Sequence, residues 1–232
     1  MDLDPVADWK QAYWSIQRAL ISGCEEAILD ATSSRAANCV SWLLDNTKID
    51  PNRQVRNTTP LIVACRDGSD KIVRMLVADS HTASSVRRTR VSVNRRVDGK
   101  LPIMIACSSC TNLELEDQYV SIVSQLLSHP DLHPPDDSEL VHLLDVCSYS
   151  GDNAKLCSLL LAACNANIDI RFLFADSVAR DRVQVVELLV KSHRCSISDR
   201  TYREVTDWCI SRNRVEMANL LLSLRSREAS SS

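Results

Sequence analysis

The sequence predicts an all-α chain built from stacked helix pairs. Three observations lead there. Leucine, isoleucine, valine and alanine abound, while only 2 of the 232 residues are phenylalanine and only 4 are glycine. Short apolar stripes recur at helical spacing along most of the chain. Their matched leucines return at a nearly constant interval, which is the mark of a repeat architecture. With 45% hydrophobic and 25% charged residues, the composition is that of a folded globular chain. Four glycines and seven prolines disfavour a turn-rich β fold and leave little from which to build a glycine-lined phosphate loop.

One segment shows the unit in full. Thr59-Pro60-Leu61-Ile62-Val63-Ala64 opens a short helix, with Thr59 placed to cap it and Pro60 suited to its first turn. Gly68 then permits a tight turn. A second helix follows, with Ile72, Val73, Leu76 and Val77 on one apolar face. Equivalent second helices carry Leu43, Leu126, Leu159, Leu189 and Leu221. The six leucines are spaced by 33, 50, 33, 30 and 32 residues. The single long interval holds 17 extra residues, divided between a stretch before Asp98-Gly99-Lys100-Leu101-Pro102 and one between Cys110 and Tyr119.

Two helices and a loop every 33 or so residues, with Thr-Pro-Leu at the start, resemble the ankyrin repeat. The resemblance spans roughly residues 22–224. It implies an ankyrin-type helical solenoid of about six repeats, with insertions near 81–97 and 110–118. The family's usual histidine after Thr-Pro-Leu is replaced by Ile62 and Met104, which leaves the bonding between repeats to other groups. A solenoid needs polar ends. Val6, Trp9, Tyr13, Gln17 and Leu20 trace a stripe that predicts an N-terminal capping helix over residues 1–21. Residues 225–232 are polar and serine-rich and are expected to be a disordered tail.

The start Met1-Asp2-Leu3-Asp4-Pro5 lacks the basic and apolar regions of a signal peptide. No run approaches the length of a membrane span. The ten cysteines are therefore expected to be reduced, and Cys39, Cys65, Cys107, Cys147, Cys157 and Cys209 to act as small core hydrophobes. The expected location is cytoplasmic or nuclear.

No Ser/His/Asp or Cys/His motif, Walker loop or nucleotide fingerprint stands out. The chain is expected to be no enzyme, to hold no cofactor and to have no catalytic or metal-ligating residues. One metal alternative exists. Cys107-x-x-Cys110 followed by His129-x-x-x-His133 imitates a Cys₂His₂ zinc set.

The local anomaly is basic. Arginine outnumbers lysine 21 to 6, and Arg87, Arg88, Arg90, Arg95 and Arg96 fall within ten residues, interleaved with Val86, Val91, Val93 and Val97. This alternation suggests an extended finger, and arginine suits a bidentate grip on carboxylates. The five arginines are the candidate partner-binding residues, and the expected partner is a protein with an acidic surface. Nucleic acid is the alternative ligand for the same finger, disfavoured by the net charge of −3 and by the lack of interleaved aromatics. Glu114, Glu116 and Asp117 in the second insertion could instead pair with the arginines. The resemblance implies a protein-interaction module that binds no small-molecule substrate. Such a module serves as adaptor, inhibitor or regulatory subunit of a kinase, a ubiquitin ligase or a transcription factor.

Overall fold

A computed structural model describes residues 13, 14, 17, 25–78, 90–110, 115–133, 136–150, 153–163, 169–192 and 197–231. Among them are twelve helices in six consecutive pairs. The first three pairs are α1 (Glu26–Ser33) with α2 (Ala37–Asn46), α3 (Pro60–Arg66) with α4 (Asp70–Val77), and α5 (Pro102–Ser109) with α6 (Glu116–Leu127). The other three are α7 (Asp137–Ser150) with α8 (Ala154–Ala163), α9 (Arg171–Ala179) with α10 (Val183–Lys191), and α11 (Asp199–Ser211) with α12 (Val215–Ser231). Helices α1–α6 form one compact unit and α7–α12 a second.

In the first unit α1, α3 and α5 stack as one row and α2, α4 and α6 as another, and each helix also packs on its own pair mate. The second unit repeats this scheme with α7, α9 and α11 in one row and α8, α10 and α12 in the other. The result is a two-layered helical solenoid in each unit, in which the apolar face of a pair is covered by its neighbour.

The second-helix row shows why the repeat was visible. Buried pairs recur at Cys39/Val40, Ile72/Val73, Ile122/Val123, Leu156/Cys157, Val185/Val186 and Met217/Ala218, each followed three residues later by a buried leucine. Those leucines are Leu43, Leu76, Leu126, Leu160, Leu189 and Leu221. The sequence reading placed Leu159 in this column. The structure corrects it by one residue: Leu159 is half-buried, and Leu160 is fully buried. Three consecutive leucines hide the register, and the Leu156/Cys157 pair resolves it.

Few glycines are needed because other residues close the turns. Arg35, Asp181 and Asn213 take positive φ between their paired helices, as Gly68 does. At each, a backbone N–H reaches back to the first helix: Ala36 to Ala31, Ser69 to Ala64, Arg182 to Ser177 and Arg214 to Cys209, all at 2.9 Å. Gly68 has a further reason to lack a side chain. A Cβ there would stand 3.2 Å from the ring of Tyr119, whose hydroxyl donates to the Arg66 carbonyl at 2.9 Å.

The expected capping helix lies mostly outside the described residues; Tyr13 and Trp14 are helical and exposed. At the other end α12 runs through Ser231, over the stretch read as a disordered tail. All seven cysteines among the described residues are buried and outside any disulfide, including Cys110 just past the end of α5.

Leu76→Ala and Leu126→Ala should each cost about 2–5 kcal/mol in denaturant unfolding, whereas Leu159→Ala should cost well under half as much. Thr59 caps α3 by accepting from the Ile62 N–H, while Leu101 offers α5 no such bond. Hydrogen exchange should therefore show α5–α6 opening before α3–α4; equal protection would mean that the cap and the 17-residue insertion cost nothing.

Candidate protein-recognition surface

Two tight turns precede α3 and α5. In the first, Val55 and Thr58 exchange both backbone bonds at 3.0 Å around Arg56 and Asn57, which both have positive φ. In the second, Val97 and Lys100 do the same around Asp98 and Gly99. Paired positive φ values at the centre mark the turn type that suits a two-residue hairpin. Asn57 Nδ2 donates to Asp98 Oδ1 at 2.7 Å and ties one turn to the next.

The segments leading into these turns are locked in the same way. Asn52 donates to the Arg90 carbonyl at 2.6 Å and accepts from the Ser92 N–H at 2.6 Å. Asn94, 42 residues on, donates to the Asp131 carbonyl at 2.5 Å and accepts from the His133 N–H at 2.9 Å. Two asparagine amides thus clamp successive loops. They supply bonding between repeats that Ile62 and Met104 cannot.

The turns and the first-helix row enclose a groove of about 530 Å³ in the first unit. Its walls include Ser33 of α1, Ile62 and Arg66 of α3, Ile105 of α5, and Arg56 and Lys100 from the turns. Arg56 is held by Asp30 at 3.1 Å and by Glu26 at 3.4 Å. Arg66 lies 3.4 Å from Asp67. The Arg56 and Arg66 side chains stay more than half exposed, so these ion pairs are weak and their cations accessible to a partner.

Of the five arginines singled out in the sequence, three fall among the described residues. Arg87 and Arg88 lie outside the described residues. Arg90 is exposed, and its guanidinium sits 3.6 Å from the Asp131 carboxylate. Arg96 donates to the Gly99 carbonyl at 3.0 Å and braces the second turn. Arg95 is exposed. The interleaved Val91, Val93 and Val97 are buried. Over residues 90–97 the valines therefore pack inward while the arginines face out. Asp131 is an acid that meets Arg90. Sequence reasoning missed Arg56, Arg66 and Lys100. The signal was available in the 42-residue offset between Pro60 and Pro102, which sets Arg56-Asn57 against Asp98-Gly99.

The metal alternative finds no support. Cys107 and Cys110 are buried, and His129 Nδ1 accepts from the Asp131 N–H at 3.1 Å. Burial, with Glu116 as a smaller cause, pushes the Cys110 thiol up to about 11, and burial also raises Cys65 and Cys209. Raised in this way, these thiols are poor nucleophiles at physiological pH. Among the described residues no cluster of three or more metal-ligating side chains occurs.

Residues 15–88 match the family model described as ankyrin repeats (3 copies). Residues 15–88 thus carry ankyrin repeats. The match covers the first two helix pairs, where Thr59-Pro60-Leu61 and Gly68 stand, and no curated protein matches the chain. Ankyrin repeats are generally protein–protein interaction modules and typically non-catalytic. Among the described residues, no helix is long and apolar enough to cross a membrane.

Two outcomes test this surface. Asn52→Ala and Asn94→Ala should each lower stability by about 0.5–1.5 kcal/mol, since each removes two hydrogen bonds to exposed backbone groups that water can then satisfy. At neutral pH, Cys65 and Cys110 should label with a maleimide only at the rate of local unfolding; labelling as fast as a free thiol would show that they are not enclosed.

Proposed function

We propose that this protein is a non-catalytic interaction module that regulates or tethers another protein through the first-row groove and the basic segment beside it. The observation that carries this reading is the pair of clamped turns, which hold Arg56 and Lys100 on rigid backbone at the mouth of the groove. Preorganised cations on a fixed frame recognise a carboxylate-bearing surface with little ordering cost. The partner on this reading is an acidic protein surface. Arg87, Arg88, Arg90, Arg95 and Arg96 extend the basic area, and the partner is a kinase, a ubiquitin ligase or a transcription factor in the cytoplasm or nucleus. The protein acts on it as adaptor, inhibitor or regulatory subunit.

The test is purification of the protein from its native cell, identification of the bound partner by mass spectrometry, and measurement of affinity with purified components. Arg56→Ser with Lys100→Ser should weaken binding at least tenfold and flatten its salt dependence. Changing Arg87, Arg88, Arg90, Arg95 and Arg96 to serine together should weaken it further. Undiminished affinity and unchanged salt dependence in both variants would exclude this surface as the contact.

A further inference from the structure

The second unit carries a surface of different chemistry. Helices α9 and α11 line a groove of about 420 Å³ with Phe172, Ala175, Asp176, Ala179, Glu204, Val205 and Trp208. Phe172 is 76% exposed, and it is one of only two phenylalanines in the chain. The other, Phe174, is fully buried and stacks on Tyr202 with ring centroids 5.7 Å apart. The core of this helix pair is therefore complete without Phe172. Trp208 is 37% exposed and held in place: the Arg214 guanidinium lies 5.2 Å from its ring centroid and that of Arg212 6.0 Å. Arg214 is in turn fixed by Asp181 at 2.9 Å and by the Val178 carbonyl at 3.2 Å. An uncovered phenylalanine beside a braced tryptophan puts two aromatic rings at one groove, and exposed apolar patches of this kind can mark contacts.

The lining of the groove is acidic, and arginines stand around it at Asp176, Glu204 and Trp208. Its lining contains two carboxylates, Asp176 from α9 and Glu204 from α11, and no lysine or arginine. Each carboxylate has one cation a helical turn away on its own helix, Arg180 at 2.7 Å and Arg200 at 2.8 Å. The Arg200 side chain is almost fully exposed, and pairs of this kind are weak enough for an incoming cation to replace. We propose that this groove docks a segment of a partner protein in which an aromatic or aliphatic side chain stands next to a lysine or arginine. The apolar side chain enters between Phe172 and Trp208, and the cation meets Glu204 and Asp176. The volume suits one large side chain, and an amphipathic helix presents such an arrangement along one face. This inference rests on the reading of the protein as a protein-recognition module, but it places a second, chemically opposite contact on different helices.

The experiment selects a random 16-residue peptide library, displayed on phage, against the immobilised full-length chain. Enriched peptides are then synthesised, and their affinity for the full chain is measured by fluorescence anisotropy. The expected peptides pair an apolar side chain with lysine or arginine. Their affinity should fall at least tenfold with Phe172→Ser, at an unchanged melting temperature, and about threefold or more with Glu204→Gln. Replacing the peptide's basic residue with glutamate should weaken binding at least tenfold. Peptides that ignore both variants overturn the inference. If those peptides are instead weakened by Arg56→Ser and Lys100→Ser, recognition through the first unit stands and only this groove is excluded. Absence of any enriched peptide counts against both. A concentration-dependent dimer in sedimentation that Phe172→Ser abolishes would assign the groove to a second copy of this chain and overturn the proposal of a partner segment.

Discussion

Everything in this molecule depends on the burial of one helix pair's apolar column by the next. Pairs such as α3 and α4 are too short to stand alone: seven and eight residues fall well below the length at which isolated helices persist in water. Their stability comes from the leucine column of the second-helix row and from the small residues that let the rows approach. Ala31, Ala64 and Cys209 are fully buried and accept the turn-closing bonds, so close packing and turn geometry are fixed by the same positions. Ser148 and Ser177 extend this logic with a buried hydroxyl pair 2.9 Å apart.

A frame held mainly by apolar columns frees its loops for recognition. The asparagine clamps show how the loops are then kept rigid. Asn52 and Asn94 each satisfy two backbone groups of the following loop, and Asn57 joins one turn to the next. Arg90 and Arg96 are drawn into this scaffold by Asp131 and by the Gly99 carbonyl. Basic residues here have two tasks, bracing the loops and facing solvent. Arg56 does both, since Glu26 and Asp30 hold it without covering it.

The fold was legible because the repeat writes itself in few letters. Ile72-Val73 and Leu76, Ile122-Val123 and Leu126, and Val185-Val186 and Leu189 have the same spacing, and each column is buried. Legibility failed where composition was degenerate or partners were distant. Leu159-Leu160-Leu161 concealed a one-residue shift. Arg35, Asp181 and Asn213 close turns in a backbone conformation that glycine usually supplies, so no glycine announced them. The clamps join residues about 40 apart, beyond any local motif. The groove of α9 and α11 was hidden for a related reason. Phe172 lies beside Leu173 and Phe174 in sequence, and only the packing reveals that it stands off the buried face. Charge density pointed to the 87–96 segment, but it could not show that Arg96 braces the second turn through the Gly99 carbonyl.

The most direct measurement of the central claim is hydrogen exchange of the full chain with and without its purified partner. Recognition through the first-row groove predicts new protection at residues 55–58, 62–66 and 97–100, with the outer helices α2 and α4 unchanged. Protection confined to α2 and α4, with the clamped turns exchanging as in the free protein, would contradict the account.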